Sequence, residues 1–366
     1  MLEDLEKTSV SSGVFHEDVS GKPDHEGGTL VDISVVICTY NRRNALTSAL
    51  QSVIRQETAD GFTFEIVIID DGSIDGTEDS VREMAQCVAT PSIRCVHTEG
   101  DGIAAARNRG VKESFGNWVA FFDDDQWAQP QWLAELYRVA QEGAVDCVAG
   151  TRLLGLPESA NVRLGPFCRG LLGESILGQN LGGCEGTPEV FNTGNVLIRR
   201  QLFERVGGFD GSTLAGGIGA EDCEFFWRAA KHGAIMSYAP MAIVRHIIPD
   251  CRLRGEYFKR TSLRLSLGST SIRYKHKGRL RWLLGLGKRI CAALGRDGWL
   301  LLAALLLRDN GRALDRRCRL WYAIGYVRGS ISLLAPGALS QRQFIEGVSF
   351  RERTEEFSKN SSPCGL

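Results

Sequence analysis

No stretch of this 366-residue sequence is both long enough and apolar enough to span a membrane. The most apolar segment, Trp299–Leu307, is well short of the roughly 20 residues that a transmembrane helix needs. Net charge is also nearly absent, since 43 lysine and arginine residues stand against 44 aspartate and glutamate residues. A chain without an overall basic field is not expected to bind nucleic acid.

The 11 cysteines lack paired metal-ligand spacing, and the N-terminus lacks an apolar secretory segment. We therefore expect reduced thiols and a cytoplasmic location, with peripheral contact at the inner face of the cell membrane left open. No Gly-x-Gly-x-x-Gly motif follows the first predicted strand, which disfavours a dinucleotide-dependent dehydrogenase. The sequence does not indicate an oligomeric state.

Strand-like and helix-like segments alternate from Val31 onward. Short runs rich in Val, Ile and Phe are followed by segments in which apolar residues recur every three or four positions. This order predicts an α/β fold with a mostly parallel, twisted sheet flanked by helices. We place the main domain at residues 31–250, a helical C-terminal extension at 251–335, a disordered tail at 1–30 and a flexible tail at 336–366.

Polar side chains follow three of the predicted strands directly, in the segments Thr39-Tyr40-Asn41, Asp70-Asp71 and Asp123-Asp124-Asp125. The carboxyl ends of parallel strands meet at one edge of a sheet, so we expect these residues to line one crevice. Asp70 and Asp71 alone are equally consistent with an ordinary turn. Three adjacent carboxylates repel one another, and a divalent cation such as Mg²⁺ or Mn²⁺ that bridges to substrate phosphates would offset them.

A longer, ordered set of motifs resembles the family-2 glycosyltransferases of the GT-A fold, over about Ile33 to His246. The segments that carry the resemblance are Ser34–Arg42, Ile69–Ser73, Ala105–Gly110, Phe121–Asp125, Asn192–Asn195, Val206–Asp210 and Glu221–Glu224. The resemblance implies a GT-A-type sheet, a nucleotide-diphospho-sugar as donor, and Mn²⁺ or Mg²⁺ as cofactor. It also implies that Asp123 and Asp125 bind the metal and the donor diphosphate.

Other donor-site residues are implied by the same resemblance. Asp124 is expected to be a local helper, although three acids in a row leave the choice of metal-binding pair open. Arg107 resembles the family's donor-site arginine, a permanent cation for base or diphosphate, with a solvated helix arginine as the alternative. The remaining donor-binding residues are expected to be Thr39, Tyr40, Asn41, Asp70 and Asp71.

The Glu221-Asp222 pair resembles the family's catalytic pair. Asp222 would be the general base on the acceptor hydroxyl, as an inverting displacement requires, and Glu221 would position it. Acidic residues that merely begin a helix are the alternative. His246 stands where some relatives place a histidine near the metal, although a lone histidine is more often a structural hydrogen-bonding residue.

The segment from Leu253 onward is rich in Arg and Leu, and it has two interpretations. It could be an amphipathic surface that rests on anionic lipid, or a helical extension packed on the main domain. The processive members of the family carry Gln-x-x-Arg-Trp and membrane spans. Here Arg281-Trp282 lacks the glutamine, which favours transfer of a single sugar.

The sequence therefore predicts a metal-dependent, inverting glycosyltransferase that moves one sugar to a glycan or lipid-linked acceptor, in the biosynthesis of cell-surface polysaccharide or glycoconjugate. Two alternatives are open. A sugar-nucleotide pyrophosphorylase would need a Gly-rich phosphate loop after the first strand, which the chain lacks. A non-catalytic relative that binds glycan or lipid would have no use for Asp123, Asp125 and Asp222.

Overall fold

The computed structural model describes residues 31–58, 61–160, 162–176, 188, 191–211 and 220–334. Both predicted tails, 1–30 and 336–366, lie outside the described residues. The strands are β1 Ile33–Thr39, β2 Phe64–Asp70, β3 Ser92–His97, β4 Trp118–Phe122, β5 Gln126–Ala128, β6 Cys147–Gly155, β7 Asn195–Arg199 and β8 Met236–Ile247.

The helices that lie between these strands are α1 Arg43–Ile54, α2 Thr77–Gln86, α3 Ile103–Glu113, α4 Trp132–Glu142, α5 Pro166–Leu171, α6 Arg200–Val206 and α7 Glu221–Lys231. A 3₁₀ helix, Asp250–Leu253, follows β8. The C-terminal helices are α8 Gly255–Lys277, α9 Arg279–Ala292, α10 Gly298–Leu306 and α11 Asn310–Leu334, with a π-helical turn at Ala293–Asp297.

The described strands form one sheet in the order β3-β2-β1-β4-β7-β6-β8-β5. Strands β3, β2, β1 and β4 are mutually parallel, as the strand and helix alternation predicted. Strand β7 runs antiparallel to both of its neighbours, β4 and β6, and the short β5 runs antiparallel to β8. The sheet is therefore mixed, and its parallel part carries the segments that end in Thr39, Asp70 and Phe122.

Both faces of the sheet are covered by helices, because each central strand is apolar on both sides. Along β1, Ile33, Val35 and Ile37 pack against α1 and α4 on one face. Val36 points to the opposite face, where α3, α6 and α7 pack. Helix α4 packs on the sheet because its apolar residues recur at helical spacing on one face. These residues, Trp132, Leu133, Leu136 and Ala140, are all buried.

The C-terminal helices divide into two kinds. Helices α8 and α11 pack on each other and on α5, in a cluster that includes the buried Phe258, Cys168 and Cys318. Helices α9 and α10 leave most of their large apolar side chains exposed. No helix among the described residues is long and apolar enough to cross a membrane.

Candidate active site

The three adjacent aspartates follow β4, at the edge of the sheet where the parallel strands end. They differ in exposure: the side chain of Asp123 is 39% exposed, that of Asp124 is 7% and that of Asp125 is 16%. Asp123 Oδ2 accepts a hydrogen bond of 3.2 Å from Gln126 Nε2 and lies 3.8 Å from Nη1 of Arg152. Asp123 is thus the carboxylate of the three that opens most to solvent.

Asp124 points inward and is held by the loop after β1. Its Oδ2 accepts a hydrogen bond of 2.9 Å from Thr39 Oγ1, and its Oδ1 accepts one of 2.7 Å from Arg42 Nη1. Burial raises the pKa of Asp124, and Asp125 raises it further, against the lowering effects of Arg42 and Thr39. Asp124 thus makes local contacts with the loop after β1, and its part as a helper at the donor site stays a prediction.

Asp125 lies among positively charged and imidazole groups. Its Oδ2 is 3.1 Å from Arg42 Nη1 and 3.2 Å from Arg252 Nη2, and its Oδ1 is 3.3 Å from His246 Nε2. Burial by itself raises the pKa of a carboxyl group. Here the positive charges of Arg252 and Arg42 oppose burial, and the pKa of Asp125 lies well below its usual range. Asp125 and His246, far apart in the sequence, are thus brought together.

The loop after β1 is tied to the loop after β2. The backbone N–H of Asn41 donates to Ser73 Oγ at 2.8 Å, and Asn41 Oδ1 accepts from the N–H of Ile74 at 2.8 Å. Asn41 has a φ of 49°, in the left-handed region that asparagine tolerates. Tyr40 beside it is half-buried. The two loops therefore form one rim of the crevice.

Asp70 and Asp71 have different surroundings. Asp70 is 1% exposed; its Oδ1 accepts from the N–H of Ser73 at 3.0 Å, and its Oδ2 lies 3.1 Å from His97 Nδ1. Asp71 is half-buried and accepts from the N–H of Gly102 at 3.1 Å. Asp70 therefore supports the turn, which was the alternative interpretation, and its contact with a donor stays a prediction.

Cys38, on β1, shows how closely the acidic groups are gathered. Burial raises the pKa of its thiol to about 12, and the negative charges of Asp123, Asp71 and Asp124 act in the same direction, against Arg107. The thiol, which is half-buried, therefore lies near all four charged groups. The predicted donor-site residues thus converge on one place.

Arg107 and Glu221 form a buried ion pair, between Nη1 and Oε1. Each side chain is 10% exposed. Arg107 comes from α3, whose apolar face is packed on the sheet, and Glu221 is the first residue of α7. Arg107 is therefore not the solvated helix arginine of the alternative interpretation.

Asp222 is the next residue after Glu221, and the pKa of its carboxyl group is raised. Burial raises the pKa of its carboxyl group, the negative charge of Glu221 raises it further, and Arg107 opposes both. The carboxylate also accepts hydrogen bonds from the backbone N–H groups of Cys223 and Thr193. A raised pKa is the property expected of a carboxylate that accepts a proton near neutral pH.

The turn before β7 joins the two groups of carboxylates. Thr193 donates its backbone N–H to Asp222. The next residue is Gly194, where a Cβ atom would stand 2.6 Å from Oδ2 of Asp123 and would collide with Arg152. The turn therefore contacts Asp222 through Thr193 and lies against Asp123 at Gly194, where there is no room for a side chain.

Comparison with known proteins shows the family to which the chain belongs. The profile described as "Glycosyl transferase family 2" matches residues 34–207. The chain is 30% identical over 234 residues to "Glycosyltransferase AglE" of Haloferax volcanii, covering 63% of this chain and 71% of that protein. The chain belongs to glycosyl transferase family 2. It is therefore a transferase, which disfavours the pyrophosphorylase and the non-catalytic alternatives.

Other similarities of this family 2 glycosyltransferase extend beyond the profile match. It is 27% identical over 331 residues to "Pre-mycofactocin glycosyltransferase" of Mycobacterium tuberculosis, covering 86% of this chain and 63% of that protein. The structure of a mannosyltransferase from Pyrobaculum calidifontis, solved with GDP-Man and Mn²⁺, superposes with a TM-score of 0.56 at 19% identity, covering 87% of this chain and 89% of that one. This likeness confirms the predicted GT-A fold.

Sequence reasoning missed several arginines of the crevice in this family 2 glycosyltransferase. Arg42 was noticed only as part of a motif, and Arg152, Arg252 and Arg264 were not singled out. Burial lowers the pKa of Arg264, on α8, while the negative charges of Glu221 and Asp222 raise it. No local spacing marks such residues, because they reach the site through tertiary packing.

Proposed function

We propose that this family 2 glycosyltransferase moves one sugar, with inversion, from a nucleotide-diphospho-sugar to a glycan or lipid-linked acceptor, with Mn²⁺ or Mg²⁺ as cofactor. The observation that carries the proposal is the turn at Thr193 and Gly194. Because that turn touches both Asp123 and Asp222, a donor at Asp123 and an acceptor at Asp222 would share one crevice.

The side chains of Asp125 and His246 fit a cation. His246 Nδ1 lies 2.8 Å from the carbonyl oxygen of Leu172 and donates to it, while Nε2 lies 2.9 Å from Arg252 Nη1, which can only donate, so Nε2 presents a lone pair. A carbonyl on the other ring nitrogen is the usual support for a metal-binding histidine. Across the described residues, no three or more His, Cys, Asp or Glu side chains are grouped as a metal site. A carboxylate and an imidazole, completed by donor phosphates, match a cation that keeps few protein ligands.

Each remaining residue has a defined task in the proposed reaction. The bound cation would stabilise the negative charge that grows on the departing nucleoside diphosphate. Asp123, open to solvent, would contact the donor beside it. Asp222 would take the proton of the acceptor hydroxyl, and the Arg107–Glu221 pair would hold the N-terminus of α7 in position. Mn²⁺ is the first cation to test, because the Pyrobaculum mannosyltransferase was solved with it.

The C-terminal helices support an acceptor at a membrane surface. Residues 251–334 contain 19 lysine and arginine residues and four aspartate and glutamate residues, a formal charge of +15 in a chain of net charge -1. The same region exposes a set of large apolar side chains on and beside α9 and α10: Leu280, Leu284, Leu294, Trp299, Leu302, Leu306 and Leu307. Apolar and basic groups on one helical surface are typical of helices that lie in the interface of an anionic bilayer.

The test of the central proposal is donor binding. Thermal unfolding of the full chain is measured with UDP, GDP and dTDP sugars, and with a CMP sugar that lacks the diphosphate, each with Mn²⁺, Mg²⁺ or chelator. We expect one nucleoside diphosphate sugar to stabilise the protein only when metal is present, and Asp125→Asn to abolish the shift. The proposal fails if no nucleotide stabilises the wild type under any metal condition.

A further inference from the structure

The guanidinium group of Arg252 lies between the two side chains proposed to bind the cation. Its Nη1 is 2.9 Å from Nε2 of His246, and its Nη2 is 3.2 Å from Oδ2 of Asp125. Arg252 belongs to the 3₁₀ helix that follows β8, and its side chain is 11% exposed. One planar group therefore contacts both proposed ligands.

This position calls for positive charge. Nε2 of His246 accepts a hydrogen bond from Arg252, because a guanidinium group can only donate, and Oδ1 of Asp125 lies only 3.3 Å from Nε2. Two hydrogen-bond acceptors at this distance repel each other unless a donor or a cation lies beside both. Arg252 supplies that donor, to Nε2 of His246 and to the other oxygen, Oδ2, of the Asp125 carboxylate. The same two side chains are the ones that a divalent cation would bind.

The second arginine at Asp125 is placed differently. Arg42 Nη1 bonds Asp124 at 2.7 Å and Asp125 at 3.1 Å, from the loop after β1. It bridges the two carboxylates, and within the described part of the chain it makes no hydrogen bond or ion pair with His246. A cation that binds Asp125 and His246 would therefore meet Arg252 before Arg42.

We propose that Arg252 is a displaceable positioning residue, which holds Asp125 and His246 together until a divalent cation takes its place between them. The inference rests on the metal pair of the proposed function. Once released, the guanidinium keeps its charge and stays within side-chain reach of the crevice, where a diphosphate is a bidentate partner for it. The cation and Arg252 thus compete for one position before the donor binds, and both face the donor afterwards.

If Arg252 competes with the cation, replacing it should change two affinities in opposite directions, that for Mn²⁺ and that for the nucleotide. Mn²⁺ binding to the full chain without nucleotide is measured by calorimetry or by electron paramagnetic resonance of the ion. Arg252→Gln should bind Mn²⁺ about tenfold more tightly than wild type, a size typical of coupling between sites. With Mn²⁺ saturating, GDP and UDP should bind more weakly to this variant. Arg252→Lys, which keeps the charge, should lie closer to wild type in both measurements.

Arg254 provides the matched control. It is an exposed arginine two residues along the chain, so Arg254→Gln removes the same charge without touching Asp125 or His246. Its Mn²⁺ affinity should equal that of wild type. A gain of affinity in Arg252→Gln cannot come from misfolding, and thermal unfolding of both variants checks that the fold is kept.

The inference is overturned if Arg252→Gln binds Mn²⁺ no more tightly than wild type, which includes the case in which neither binds it without nucleotide. Asp125→Asn separates the two levels of the argument. If that variant loses Mn²⁺ binding while Arg252→Gln is unchanged, only the part assigned to Arg252 is wrong. If Asp125→Asn binds Mn²⁺ as wild type does, the proposed metal pair itself is wrong.

Discussion

Arg107 and Glu221 are 114 positions apart in the sequence and form an ion pair in which each side chain is 10% exposed. The pair links α3 to the first residue of α7, and Asp222 follows directly in that helix. Two charges that are largely removed from water are stable only together, because each would otherwise lose its hydration without compensation.

Breaking the pair from one side should therefore destabilise the fold strongly. Arg107→Gln or Glu221→Gln alone is expected to lower the free energy of unfolding by about 3 kcal/mol, because the remaining charge stays buried. The double variant should lose clearly less than the sum of the two. Urea unfolding of the four proteins measures the coupling. Strict additivity would show that the two groups do not stabilise each other.

Asp222→Asn should remove catalysis while leaving donor binding intact. The amide cannot accept the proton of the acceptor hydroxyl, so the turnover number should fall by about 10² to 10⁴. Binding of the nucleotide sugar should be unchanged, because the donor is proposed to bind at Asp123 and at the cation that Asp125 and His246 would hold. Transfer is measured at saturating donor. Unchanged turnover would rule Asp222 out as the general base.

The raised pKa of Asp222 predicts a pH profile. The base works only when it is deprotonated, so kcat/KM should rise with pH through the pKa of this carboxyl, which burial and Glu221 place above its usual range. Glu221→Gln removes a neighbouring negative charge and frees Arg107 to stabilise the ionised Asp222. Both effects lower the pKa, so the acid limb should move to lower pH. Glu204→Gln, at an exposed position, should leave the limb in place.

Gly194 should be intolerant of any side chain. In Gly194→Ala the new methyl group would stand 2.6 Å from Asp123 Oδ2 and would collide with Arg152. We expect loss of most activity, since the turn must shift from both Asp123 and Asp222. Gly170→Ala is the matched control, because nothing lies within 4 Å of its added methyl group. On α5, that change should be neutral or stabilising by up to about 1 kcal/mol. Equal activity of the two variants would contradict the contact.

The strands and helices that end at the crevice could be predicted from the sequence, because their signals are local. Apolar runs such as Trp118–Phe122 and helical periodicity such as that of α4 depend on neighbours in the chain. Strand β7 was missed, since Asn195–Arg199 is short and begins inside a polar motif. The sequence also could not say that this strand runs antiparallel, because that depends on its partners β4 and β6.

The carboxylates of the site could be predicted, because they directly follow strands. The arginines that form ion pairs with them could not. The three acids Asp123–Asp125 stand out in the sequence, but their different exposures follow from the way the loop turns. Arg252 lies in an Arg-rich segment in which nothing distinguishes it from Arg254. Only the packing of β8 and the following 3₁₀ helix brings the one to Asp125 and leaves the other exposed.

The exposed apolar surface of α9 and α10 should bind anionic vesicles. Trp299 is 70% exposed and Leu306 is 76% exposed, so replacing both by Ser should leave the free energy of unfolding nearly unchanged. The double variant should lose most of its cosedimentation with vesicles of anionic lipid, because it removes apolar area that would enter the bilayer interface.

The charge of the same region adds a second condition. Exposed basic residues such as Arg279 and Arg281 should contribute about 1 kcal/mol each near an anionic surface. Binding should therefore weaken on vesicles of neutral lipid and at high salt, where screening shortens the reach of each charge. Met241→Ser is the control, since Met241 is 60% exposed but lies on β8. If the wild type does not cosediment with anionic vesicles, or if Met241→Ser weakens binding as much as the double variant, α9 and α10 do not form a membrane surface.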